Sequence, residues 1–209
     1  MLRALLLVLL SSVCAPSIAA TVAPVLVLGD SLSAAYGLAP NEGWVTLLSQ
    51  RLQAAKPARA VVNASISGET SAGGLARLPP LLSQHKPAVV IVELGANDGL
   101  RGLPLTEVRT NLSKILADVR NAGAKGVLIG IELPVNYGPQ YRDGLRSLYR
   151  GLATEFNVPL LPFLLEGVAL DPALMQDDGL HPKAPAQARV LQNVWDVLGP
   201  VVGTLSDAH

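Results

Sequence analysis

The chain is short of the residues that most often carry redox, metal and nucleic-acid chemistry. It has one cysteine, three histidines, 4% aromatic and only 15% charged residues, with sixteen Lys plus Arg balanced by sixteen Asp plus Glu. Zero net charge and the lack of any run of like charges remove the electrostatic footprint of a nucleic-acid binder, so no nucleic acid is expected as a partner. The single cysteine, Cys14, lies within the first twenty residues. There Arg3 precedes an apolar run from Ala4 to Leu10, and small residues follow at Ser17, Ala19 and Ala20, the pattern of a cleaved signal peptide. The run is too short to span a bilayer and no later segment reaches the length a span needs, so the reading is export, with no stable membrane insertion after cleavage, rather than an uncleaved anchor. Val13, ahead of Cys14, argues against lipid attachment. Cleavage after Ala19 or Ala20 assigns residues 1–20 to the signal peptide and 21–209 to the mature protein. That chain has no cysteine, which excludes disulfides, thiolate catalysis and Cys-ligated metal.

What the chain has in quantity is apolar surface, 50% of its residues, which is enough to bury a sizeable core in one domain. Candidate strands are Pro24 to Leu28, Ala60 to Asn63, Ala88 to Leu94, Gly126 to Glu132 and a weaker one near Pro159 to Phe163. Their apolar runs are nearly continuous, as expected of parallel strands covered on both faces. Between them, Val108, Leu112, Ile115, Leu116 and Val119 trace the stripe of an amphipathic helix. Leu145, Leu148, Tyr149, Leu152 and Phe156 trace a second stripe, and Leu191, Val194, Trp195 and Leu198 a third beyond Pro182 and Pro185. Trp44, Leu47, Leu48 and Leu52 mark a helix after the first strand. From Gly74 to His85 the periodicity is helical, but Pro79 and Pro80 predict two short pieces, because an interior proline removes a hydrogen bond and clashes with the preceding turn. The fold class is therefore α/β with an open, mostly parallel sheet.

Such sheets bind ligands outside the carboxyl ends of their strands. Three polar turns fall there: Gly29-Asp30-Ser31-Leu32-Ser33, Asn63 to Thr70, and Gly95-Ala96-Asn97-Asp98-Gly99. The loop Asp178-Gly179-Leu180-His181-Pro182 leads into the last helix and can arch over the same edge. Of the three histidines, His209 is terminal, His85 lies in a helix-to-strand turn, and only His181 follows an aspartate by three positions.

Serine hydrolysis needs a hydroxyl, a base, a carboxylate that holds the base's tautomer, and donors for an oxyanion. Ser31, His181 and Asp178 supply the first three, with Asp177 competing for the carboxylate role. Asn97 supplies an amide N–H, and the backbone N–H groups of Ser31 and Gly68 complete an oxyanion site. Each turn, taken singly, is also ordinary turn chemistry. Asp30 and Asp98 read as turn or helix-cap carboxylates, and Glu93 as a hydrogen-bonded core carboxylate.

Gly29-Asp30-Ser31-Leu32, Ser67-Gly68-Glu69, Gly95-Ala96-Asn97-Asp98 and Asp178-Gly179-Leu180-His181-Pro182, in that order, resemble the four blocks of the SGNH (GDSL) hydrolase family. The resemblance implies a three-layer, flavodoxin-like fold with a five-stranded parallel sheet of order 2-1-3-4-5. It also implies a triad of Ser31, Asp178 and His181, with an oxyanion hole of the Ser31 and Gly68 amides plus Asn97, and no cofactor or metal. Asn63 to Gly68, Gly73 to Pro79, Asn97 to Gly102 and Leu133-Pro134-x-Asn136-Tyr137-Gly138-Pro139 are similar to the exported bacterial thioesterase I, protease I, lysophospholipase and arylesterase subgroup, over nearly the whole mature chain. Ser31 lacks the Gly-x-Ser-x-Gly elbow of the α/β-hydrolases.

The signal peptide predicts a periplasmic or secreted protein, expected to be a monomer, and the resemblance further implies that it cleaves acyl esters and thioesters, including aryl esters and lysophospholipids. Leu100 and Leu103, in the loop Gly99 to Pro104, either border the acyl groove or anchor a surface loop. Two alternatives compete. A carbohydrate acetylesterase would use the same blocks, and a non-catalytic mononucleotide-binding module is suggested by Ser65-x-Ser67-Gly68-x-Thr70, which resembles a flavodoxin phosphate loop.

Overall fold

A computed structural model describes residues 22–206; the signal-peptide assignment, Cys14 and His209 lie outside them. Five strands, β1 (Val25–Gly29), β2 (Val61–Asn63), β3 (Val89–Glu93), β4 (Lys125–Ile129) and β5 (Leu160–Leu161), form a wholly parallel sheet of order β2-β1-β3-β4-β5. The flavodoxin-like order and class expected from the sequence are those observed. Strands β1 and β3 are buried at every position, because side chains alternate between two covered faces. Val25, Val27, Val89 and Ile91 point to one face, under α1 (Trp44–Gln53) and α6 (Gln187–Ser206). Leu26, Leu28, Val90 and Val92 point to the other, under α2 (Ser71–His85), α4 (Leu105–Asn121) and α5 (Pro139–Phe156). A short helix, α3 (Ala96–Leu100), follows β3 directly.

The apolar stripes fall where their spacing puts them. All five stripe residues of α4 are buried, and α5 buries Leu145, Leu148, Tyr149 and Leu152. Helix α5 opens on Pro139, where a missing N–H costs nothing, and closes on Asn157 in the left-handed conformation. In α1 the inward residue beside Leu48 and Leu52 is Val45, while Leu47 is only half buried.

Most strand ends fall within one or two residues of the sequence reading, and two elements, α2 and β4, depart from it further. Helix α2 runs unbroken through Pro79 and Pro80 rather than as two pieces. Both prolines sit on its exposed side, so water can take up the carbonyls they leave free, while Leu78 on the opposite face is fully buried and holds the helix to the sheet. Strand β4 ends at Ile129 rather than Glu132, because β5 offers only two residues to pair with. Past that point the chain bends, and the buried Ile131 and Leu133 become part of the wall of a cavity beside Ser31.

Candidate active site

The turn after β1 is built by its own side chains and by a buried carboxylate. Asp30 Oδ1 accepts the Leu32 N–H at 3.0 Å, which bends the chain sharply around Ser31. The Ser33 hydroxyl and the Asp30 N–H donate to Glu93 Oε2 at 2.6 and 3.2 Å. Gly29 is required here, since a Cβ at that position would lie 2.8 Å from the Glu93 carboxylate and from Ser33. The Trp44 indole donates to the Leu32 carbonyl at 3.1 Å, tying the turn to the buried start of α1.

The loop before α6 brings the base. His181 Nε2 lies 2.8 Å from Ser31 Oγ, and His181 Nδ1 lies 2.6 Å from Asp178 Oδ2. Asp178 Oδ1 accepts the N–H groups of Leu180 and His181. Partial burial raises the Asp178 pKa, but the bonds from the His181 ring and from those two amides outweigh it and hold the carboxyl below its ordinary value. An ionised Asp178 keeps the proton of His181 on Nδ1 and leaves Nε2 free to accept one from Ser31. Asp178, not Asp177, is therefore the histidine's neighbour.

Two residues that the sequence reading passed over complete this edge. Tyr36 lays its ring 4.6 Å from the His181 ring. Gln176 donates to the Tyr36 and Pro182 carbonyls, while its own N–H bonds the His181 carbonyl, so it fastens the histidine loop to the β1 loop. Nothing local in the sequence marks the link, because Tyr36 meets both His181 and Gln176 across more than a hundred residues.

Asn97 stands in the first turn of α3 and donates its side-chain amide to Asp30 Oδ2 at 3.0 Å. Gly68 is exposed on the loop after β2 at φ +79°, and its carbonyl accepts from Arg101 at 2.9 Å. It does not line the cavity beside Ser31. Asp98 is a helix-end carboxylate, as expected, although the helix is α2: it accepts the Ser71 N–H at 2.8 Å and the Ser71 hydroxyl. The helix terminus that a flavodoxin-type phosphate would need is thus already occupied by a carboxylate.

Ser31, Asn97 and His181 share a cavity of about 80 Å³ with an apolar wall that includes Leu100, Leu133 and Phe163. Leu103 is absent from that wall; the Tyr141 hydroxyl donates to its carbonyl, so it anchors the loop instead. Leu133, Pro134, Phe163, Leu165 and Leu180 also line an adjoining hollow of about 290 Å³, bordered by Val135 and Leu170. Those two are 78% and 99% exposed, and with Tyr36 and Ile66 they are the exposed large hydrophobic residues among the described residues. All four lie on segments that follow the carboxyl ends of strands, Tyr36 after β1, Ile66 after β2, Val135 after β4 and Leu170 after β5. The one acidic group in the wall, Glu132, is paired with Arg146 and Arg142. A larger cavity, about 470 Å³, lies at the opposite edge near Lys125 and Gly126, far from these groups. Among the described residues, no group of His, Cys, Asp or Glu is placed to hold a metal ion, and no helix is long and apolar enough to cross a membrane.

A serine, an imidazole and a carboxylate are thus hydrogen-bonded in series over the carboxyl edge of a flavodoxin-like parallel sheet. Residues 27–189 match the model of the GDSL-like lipase/acylhydrolase family, and the chain belongs to that family of ester-hydrolysing enzymes. It is 51% identical over 177 residues to the protein named Esterase TesA of Pseudomonas aeruginosa, covering 85% of this chain and 88% of that one. It is 48% identical over 184 residues to Thioesterase 1/protease 1/lysophospholipase L1 of Escherichia coli K12, covering 88% and 87%. Among solved structures, the psychrotrophic esterase EstA from Pseudoalteromonas sp., inhibited by monoethylphosphonate, superposes with a TM-score of 0.82 at 41% identity, covering 87% of this chain and 99% of that one.

Proposed function

We propose that the protein is an exported serine esterase that hydrolyses acyl esters and thioesters, aryl esters and lysophospholipids among them, through an acyl-enzyme. The observation that carries this reading is the unbroken hydrogen-bond series from Asp178 through His181 to Ser31 at the mouth of an apolar cavity. Ser31 Oγ attacks the acyl carbon as its proton passes to His181 Nε2. The oxyanion that forms is met by the Ser31 and Gly68 N–H groups and the Asn97 amide. The bond to the leaving oxygen or sulfur then breaks, with the His181 proton going to that atom. Water next attacks the acyl-enzyme, giving a proton to His181 that returns to Ser31 Oγ as the acid departs. In this reading residues 1–20 are a cleaved signal peptide, residues 21–209 form one hydrolase domain acting as a monomer in the periplasm or medium, and neither cofactor nor metal takes part.

The apolar hollow beyond the cavity favours lipid-derived acyl groups over acetyl groups on sugars. The phosphonate-inhibited relative supports the choice of a phosphorus probe. A fluorophosphonate should label the purified protein at Ser31, and the adduct should vanish in Ser31→Ala. An adduct elsewhere, or none, overturns the mechanism, and a preference for acetyl-xylan over medium-chain thioesters overturns the substrate class.

A further inference from the structure

Two carboxyl groups are buried side by side behind Ser31, and neither takes part in the proton transfers of ester hydrolysis. Strands β1 and β3 pair in register with Gly29 opposite Glu93, so Glu93 emerges directly beside the turn that begins at Asp30. Both residues are fully buried, and no Lys or Arg among the described residues pairs with either. Asp30 has both oxygens engaged by N–H donors, Oδ1 by Leu32 and Oδ2 by Asn97. Glu93 takes its donors on Oε2 alone, and Oε1 meets none. The Asp30 N–H bond to Glu93 Oε2 sets the two residues side by side.

Two carboxylates side by side and away from water disfavour a charge on both, so a proton is held more readily by one of them. The donor pattern decides which. N–H bonds to both oxygens favour the ionised form of Asp30, whereas Glu93 has an oxygen free to carry the proton. Burial, then the charge of Asp30, push Glu93 well above the usual carboxyl range. Burial raises Asp30 to about 6, held from going further by the Leu32 N–H, His181, Glu93 and Asn97. The groups facing the pair are His181 from the loop before α6, Ser33 from the β1 turn, Asn97 from α3, and Tyr149 from α5, whose hydroxyl is committed to the Leu94 carbonyl.

We propose that Asp30 is a positioning residue for the oxyanion site, its carboxylate fixing the Asn97 amide plane while Glu93, accepting from the Ser33 hydroxyl and the Asp30 N–H, holds the turn that carries it. An amide held through one N–H has its second N–H directed by planar geometry, so the donor is set before substrate arrives. A preorganised donor of this kind is worth about a hundredfold to a thousandfold in turnover. The proposal rests on the reading of Asn97 as an oxyanion donor.

The test is a double-mutant cycle on kcat and KM with a soluble aryl ester. An asparagine at position 30 has one oxygen for two N–H donors, so Asp30→Asn should lower kcat about 10- to 100-fold and leave KM within about twofold. In the Asn97→Ala background the same change should cost less than about threefold. Glu93→Gln, which keeps a neutral acceptor and donor, should stay within about threefold of wild type, while Glu93→Leu should fall as far as Asp30→Asn. If Asp30→Asn does not fold by circular dichroism, the Glu93→Gln and Glu93→Leu pair, crossed with Asn97→Ala, carries the same test. An inert Asn97→Ala would defeat the oxyanion assignment itself. A damaging Asn97→Ala with a neutral Asp30→Asn, with losses that multiply independently, or with a tenfold loss in Glu93→Gln, overturns the positioning proposal alone.

Discussion

Replacing Asp178 with asparagine gives the sharpest test of how the histidine is set. Asp178 receives three hydrogen bonds, from His181 Nδ1 on one oxygen and from the Leu180 and His181 amides on the other. Asparagine has one acceptor oxygen for these two directions. If that oxygen keeps the two backbone amides, its NH₂ faces Nδ1, and the imidazole must carry its proton on Nε2, where it cannot accept from Ser31. If the side chain flips, its NH₂ confronts two N–H groups and two charge-assisted bonds are lost, at about 1.5–3 kcal/mol each. The wrong tautomer has the smaller penalty and should dominate. In triads of this geometry that change lowers turnover about 10⁴-fold, or about 5.5 kcal/mol at about 1.36 kcal/mol per factor of ten. The assay is kcat on an aryl ester for Asp178→Asn and for Asp177→Asn, with circular dichroism to establish that both fold. Asp177→Asn should stay within about twofold, since that residue makes no bond to the imidazole. A loss below about tenfold in Asp178→Asn, or a larger loss in Asp177→Asn, would refute the tautomer argument.

The geometry sets three further outcomes. Asn97→Ala should lower kcat about 10²- to 10³-fold with KM little changed and the fold intact; unchanged turnover removes Asn97 from the oxyanion site. In the apolar hollow each buried methylene contributes about 0.8 kcal/mol, about fourfold in kcat/KM, so activity should climb with acyl length. Leu170→Ser should then lower kcat/KM on dodecanoyl esters several-fold and leave butyryl esters untouched, whereas an equal change on both would show that Leu170 does not meet the chain. Asp30 also makes stability depend on pH. Its carboxyl is raised from 3.8 to about 6 in the folded protein, so the folded state favours the protonated form. That contribution is fully present below about pH 4 and lost as pH rises through about 6, amounting to about 3 kcal/mol. Melting scans should show wild type losing about 6–12 °C more than Asp30→Asn between pH 4 and pH 7, and equal losses would place the ionisation elsewhere.

The elements of the fold were legible because their signals are local. Nearly continuous apolar runs rich in β-branched residues, such as Ala88 to Leu94, are the pattern of strands covered on both faces, and the stripe from Val108 to Val119 has a helix's period whatever it packs against. The prolines of α2 misled for the same reason. Proline's penalty is local, but Pro79 and Pro80 are exposed and the burial of Leu78 against the sheet decides the outcome. Likewise, β4 stops at Ile129 because its partner strand is short, which its own sequence does not contain.

The sequence by itself determined which chemistry was available: one well-placed histidine, an aspartate three residues before it, a serine on a turn after a buried strand, and no cysteine after residue 14. It also determined that the polar turns would meet, because parallel strands put their carboxyl ends on one edge. Only the tertiary structure decided how those groups are held. Gly29 opposite Glu93 in neighbouring strands, Tyr36 against His181 and Gln176 across the loops are all contacts between distant segments. Burial then makes Asp30 and Glu93 unlike two surface acids: removed from water side by side, both carboxyls are pushed above their ordinary range, and no residue type read along a chain carries that information.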